Sequence, residues 1–258
     1  METETGTVAS WIDQGVGWVA IDRPRARNAA DAATMEALCG VLDRLIGDDA
    51  VKAIVMTGTG KHFLAGGDFD FLRDMAATGG SGAHATVYRW FQGATRRLFQ
   101  CSKPTIAAVS GAAITVGCEI ALACDVRLAD STAFFQESWI DLGLIAPLGG
   151  SLLLPRIVGF GLAKEMILES RRIHAEEALR VGLVNAVYET QQALRDAAQA
   201  RALAMAARPA AAFRTAKELL HRGLESTMAD AWSAGVDAQA LLLASNGFRD
   251  AVEALAPR

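Results

Sequence analysis

The sequence predicts an α/β protein, and three observations carry that expectation. Short apolar runs ending in glycine or proline recur along the chain, as in "VGWVAIDRP", "VKAIVMTG" and "KPTIAAVSG". They read as buried strands. Segments with apolar residues at helical spacing lie between them, and strands alternating with helices define the class. From about Gln191 onward the chain is alanine-rich and almost free of strand signal.

The elements follow in order. Val16 to Pro24 alternates like a strand and stops at Pro24, whose ring removes a ladder donor. In "DAATMEALCGVLDRLIGDD", Met35, Leu38, Leu42 and Leu45 share one helical face. Asp31 is the expected N-cap and Gly47 the expected stop. "VKAIVMTG" is a second strand, "GKHFLAGGDFDFL" a loop, and residues 83–101 a helix. "KPTIAAVSG" is a third buried strand, followed by a helix near Gly117 and the short strand "VRLAD". "GGSLLLPRIVGFGLAKEMILE" reads as two helical pieces broken near Gly159, and "AEEALRVGLVNAVYE" as a helix, a glycine stop and a strand. The expected division is a core over residues 1–190 and a helical region over 191–258 that packs on the core or on another subunit.

Composition narrows the function classes. The chain has 258 residues, 52% of them hydrophobic, with a net charge of −4 and no long basic run. That argues against a nucleic-acid-binding face. Cys39, Cys101, Cys118 and Cys124 form no CxxC pair, and the four histidines form no ligand set, so buried thiols and no metal are expected. No apolar run reaches the ~18–20 residues of a membrane span. "METETGTVAS" is polar and acidic, unlike a secretory signal, and the expectation is a cytoplasmic protein.

Two glycine-punctuated loops follow buried strands: "HFLAGGDF" and "SGAAITVGCEIA". Backbone N–H groups at such junctions are often unpaired, and two of them can hold a carbonyl oxygen as negative charge develops on it. Glu119 lies in the first turn of the second loop's helix, in reach of a held carbonyl as a base. The same spacing also serves as plain turns.

Taken together, the stretches resemble the crotonase family, also called the enoyl-CoA hydratase/isomerase family. "AIDRPRARNAAD", "VMTGTGKHFLAGGDF", "KPTIAAVSGAAITVGCEIALACDVRLAD", "LGGSLLLPRIVG", "AEEALRVGLVNAVY" and "AKELL" match its motifs in order. The resemblance implies a spiral of repeated ββα units with a C-terminal helical trimerisation region, assembled as a homotrimer or dimer of trimers. It implies an acyl-CoA substrate, with coenzyme A part of that substrate and no separate cofactor. The oxyanion-hole amides map onto Ala65 and Val116. Arg25, Phe63, Gly66, Asp68, Gly117, Trp139 and Arg258 map along the substrate's path. Arg23, Arg27 and Lys61 join Arg25 as candidates for its phosphates.

The sequence also departs from that pattern. "TVG" replaces a glycine run, so Val116 can donate its N–H without strain only if its φ is negative. Hydratases of the family use two glutamates; Glu119 matches the first, but Trp139 occupies the place of the second. Glu137 falls at a common glutamine position, and Pro147 where some members carry another acid. Asp141 is the remaining candidate. An extended chain would point it to the same side as Trp139, and a helical one would turn it away. The C-terminal "ALAPR" puts Leu255 where the family has an aromatic residue and Arg258 where it has a lysine.

The expected activity is hydration or isomerisation of an enoyl-CoA through a thioester enolate, with Glu119 and Asp141 as acids. The alternatives are a divergent hydrolase, decarboxylase or C–C lyase, a non-catalytic acyl-CoA-binding protein, or a site for a free diketone or acid.

Overall fold

The strands in the computed structural model, which describes residues 2–256, are β1 (Glu2–Thr5), β2 (Val8–Asp13), β3 (Val16–Ile21), β4 (Ala53–Gly58) and β5 (Thr105–Val109). β6 (Ala112–Ile114), β7 (Val126–Asp130), β8 (Phe134–Gln136), β9 (Ile173–His174) and β10 (Ala186–Tyr188) follow. Seven strands form one sheet in the order β1-β2-β3-β4-β5-β7-β10, antiparallel up to β3 and parallel beyond it. β6, β8 and β9 form a second, three-stranded sheet.

The hairpin of β2 and β3 was not expected from the sequence. Its turn is Gln14-Gly15, with φ of 49° and 80°. Positive φ at both central positions is the geometry that matches strand twist in a two-residue loop.

Helix α1 (Ala32–Gly47) starts where Asp31 accepts the Thr34 N–H at 2.8 Å and ends at Gly47. Helix α2 (Phe69–Thr78) occupies the end of the segment expected to be a loop. α3 (Gly80–Thr86), a π turn at Val87–Phe91 and α4 (Gln92–Phe99) follow one another directly. α5 (Val116–Leu122) is buried along its whole length. α6 (Gly150–Val158) and α7 (Phe160–Leu168) break at Gly159, whose φ is 82°. α8 (Ala175–Arg180) leads to β10. α9 (Gln191–Ala206), α10 (Ala210–Arg222), α11 (Met228–Leu243) and α12 (Asn246–Leu255) complete the chain.

Strand alternation divides the core between the two faces of the large sheet. Ile54 and Met56 join the cluster under α1 and α5, while Ala53 and Val55 face Leu194, Ala198 and Ala202 of α9. Packing therefore does not change at residue 190: α9 belongs to the core because its apolar stripe covers one sheet face. The change comes later. α10 is fixed by Lys217, whose Nζ lies 2.9 Å from the Asp125 carboxylate, and among the described residues α11 and α12 bury none. Among the described residues no helix is long and apolar enough to cross a membrane, and no group of acidic, histidine or cysteine side chains could hold a metal ion.

Candidate active site

The loops after β4 and β5 are locked together by backbone. Leu64 N–H donates to Ala112 O at 2.9 Å, and Ile114 N–H to Leu64 O at 3.0 Å. The approach requires glycine: a Cβ on Gly117 would lie 2.1 Å from the Leu64 carbonyl oxygen, and one on Gly66 2.7 Å from Thr115 Oγ1. Thus Gly66 and Gly117 bring the Ala65 and Val116 backbones side by side.

Val116 opens α5 without positive φ; the strain falls instead on Thr115, at φ 47° and ψ −105°. Such a conformation costs about 1–3 kcal/mol and needs fixing by its surroundings. Here Thr115 N–H donates to Gln136 O at 2.8 Å. The Val116 N–H, first in its helix, has no acceptor among the described residues, as helix geometry predicts. The Ala65 N–H is held weakly, by Arg27 O at 3.2 Å.

Beside these amides is a cavity of about 270 Å³. Val116, Trp139, Leu144, Pro147 and Leu148 line one side, and Phe71, Leu72, Met75, Val87 and Phe91 the other. Phe71 and Phe91 stack with ring centroids 5.5 Å apart. Apart from His84, every side chain on the wall is apolar, which suits a hydrocarbon group.

Glu119 stands behind this wall, 1% exposed. Its Oε1 accepts the Trp139 indole N–H at 3.0 Å, and its Oε2 accepts the N–H of Leu148 at 2.8 Å and of Gly150 at 2.6 Å. Gly150 is small for a reason: a Cβ would come within 2.9 Å of that oxygen. Burial raises the Glu119 pKa to about 7, while the backbone and indole donors pull it down.

Glu137 is equally buried, and neither of its oxygens has a hydrogen-bond partner. Burial and the neighbouring Glu119 charge push its pKa well above the carboxylate range. The Cys118 thiol and the Trp139 indole lie close enough to draw it back in part, though neither meets hydrogen-bond geometry.

The other expected site residues are scattered. Asp141 is exposed, on a 3-10 turn spanning Ser138–Leu142. At three residues per turn it sits about 240° around from Trp139, so it does not reach the cavity and the second-acid expectation is corrected. Phe63 is 0% exposed and packs in the core, leaving only its backbone near the site. Asp68 caps α2 by accepting the Asp70 N–H and pairs with Arg23 at 2.9 Å; against the upward push of burial, the Asp70 and Phe71 backbone donors and then Arg23 hold its pKa low. Arg25 is exposed on the turn Pro24–Ala26, and Arg27 and Lys61 are exposed as well, whereas Arg23 is committed to Asp68 and Asp31. Arg258 lies outside the described residues.

Sequence reasoning placed Glu137 without foreseeing its burial, and it missed the α2 wall. Both left a signal. Phe135 and Glu137 are two apart in an alternating stretch, so they share the buried side. Asp68 followed by Phe71, Leu72 and Met75 is a cap and an apolar helix face.

The folded chain, with joined loops over a buried α5 and an apolar cavity beside them, has the crotonase fold. It overlays on the enoyl-CoA hydratase of Bacillus anthracis with a TM-score of 0.88 at 28% identity, covering 98% of both chains. It overlays on DspI of Pseudomonas aeruginosa with a TM-score of 0.89 at 32% identity, covering 98% of this chain and 95% of that one. Curated relatives include the short-chain-enoyl-CoA hydratase of Clostridium acetobutylicum, 37% identical over 81% of this chain and 79% of that protein. The crotonyl-CoA hydratase of Syntrophomonas wolfei is 33% identical over 91% of this chain and 88% of its own length. The family model described as enoyl-CoA hydratase/isomerase matches residues 12–255, and the chain belongs to that family.

Proposed function

We propose that the chain acts on an apolar enoyl thioester of coenzyme A. Its carbonyl oxygen would sit between the N–H groups of Ala65 and Val116, which favour charge on oxygen and so acidify the neighbouring carbon. Glu119 would move the proton. The observation that carries this reading is the partnerless Val116 amide, joined to the Ala65 loop, with Glu119 three residues along the same buried helix. Coenzyme A is part of the substrate, and exposed Arg25, Arg27 and Lys61 are available to its phosphates.

Hydration of the double bond is the reaction that the relatives' names carry. A second reading, migration of the double bond, is favoured by Trp139: with an indole in place of a second acid, one carboxylate removes and returns the proton. Two assays separate them. Hydration bleaches the enoyl absorbance of crotonyl-CoA, and migration creates it from a 3-enoyl-CoA. Glu119→Gln should abolish whichever occurs; an unchanged rate would exclude Glu119 as the proton carrier.

We also infer self-association through the C-terminal helices, as a homotrimer or dimer of trimers. Trp232 and Val236 are each 70% exposed and Leu241 77%, more apolar surface than a solitary helix pair leaves to water.

A further inference from the structure

The Glu119 carboxylate is poorly presented for chemistry as it stands. Backbone donors fill Oε2, and the Trp139 N–H occupies Oε1. Trp139 lines the cavity and Glu119 does not. If the indole lets go, both lone pairs of Oε1 become free next to the cavity wall.

Glu137 offers the indole another place to go. It is the carboxyl among the described residues with both oxygens buried and unpartnered. Such a group costs stability, and sequences keep one where function requires it. Cys118 and Glu119 face it from α5 and Trp139 from its own turn. Arg127 lies beyond Cys118, bonded to the carbonyls of Cys124 and Leu183.

We propose that Glu137 is a positioning residue that receives the Trp139 indole N–H when an acyl group fills the cavity, uncovering Glu119 Oε1 for the substrate. One hydrogen bond, Nε1–H to Glu119, breaks, and one to Glu137 forms; no proton changes owner. Burial and the Glu119 charge oppose ionisation of Glu137, and a neutral carboxyl, like an ionised one, has an oxygen to accept the N–H. The inference rests on Glu119 being the proton carrier.

The test is exchange of the α-hydrogens of butyryl-CoA in deuterated water, with melting temperature read alongside. Glu137→Met removes the second acceptor at similar volume. It should slow exchange about tenfold with the half-saturating concentration within twofold, and it should raise the melting temperature, because a partnerless buried polar group is gone. Glu137→Gln keeps an acceptor and should restore most of the rate. Trp139→Phe removes the donor, so adding Glu137→Met to it should cost less than twofold. Full exchange in Glu137→Met, or an equal loss in both backgrounds, overturns the proposal. A lowered melting temperature with no rescue by glutamine also overturns it, since that marks a packing role. If Glu119→Gln or the wild type shows the base reading to be wrong, exchange persists in the former or is absent in the latter. If only the Glu137 inference is wrong, exchange vanishes in Glu119→Gln and survives in Glu137→Met.

Discussion

Glu119 is a carboxylate whose environment pulls in two directions. Burial disfavours its charge, three donors favour it, and the balance leaves its pKa at about 7 rather than the ordinary 4.5. A base works only when deprotonated, so kcat/KM should rise as pH increases through about 7 and level off above it. Trp139→Phe removes a donor that stabilises the charged form, so the same limb should move to higher pH. A rate profile across pH 5–9 for both proteins checks the direction. The sequence made Glu119 legible through its flanking motif, but not its setting. Trp139, Leu148 and Gly150 lie 20 to 31 residues away and reach it only when the chain closes. The direction of Asp141 was not legible for a local reason: whether residues 138–142 are extended or wound is decided by packing, and the winding sends that side chain to solvent.

At the scale of elements, the walls of the cavity depend on two small devices. Asp68 satisfies the first N–H groups of α2, the helix that supplies Phe71, Leu72 and Met75. Replacing it with alanine should destabilise the fold by about 1 kcal/mol, the usual value of an N-cap. The cost should appear first as weaker binding of long acyl-CoAs, because the wall frays before the core melts; calorimetry and chain-length-dependent KM values measure the two effects. Gly117→Ala should be harsher. Its new methyl group meets a backbone oxygen at 2.1 Å, so the loops must part. Activity should fall at least a hundredfold with a clear drop in melting temperature. Capped and periodic elements such as α1, with Asp31 and Gly47 at its ends, were readable in advance. β2 was not, because its burial does not alternate but runs from buried Val8, Ala9 and Ser10 to exposed Ile12 and Asp13, and its turn lacks the usual Asn-Gly or Asp-Gly signal.

For the whole molecule, the helices after α9 contribute little to the core and expose their apolar residues. If they join copies of the chain, Trp232→Glu combined with Leu241→Glu should yield monomers by light scattering while leaving helix content unchanged. A second global property follows from Glu119 and Glu137. Both have folded pKa values above the 4.5 they have when exposed, so the stability tied to them is full below that pH and is lost as pH climbs through about 7 and beyond. Folding at neutral pH therefore draws hydrogen ions from the solvent. Released from denaturant in weakly buffered solution, the protein should turn its surroundings alkaline. An indicator dye would record that change on the folding timescale, and the colour change should shrink when either glutamate is made glutamine.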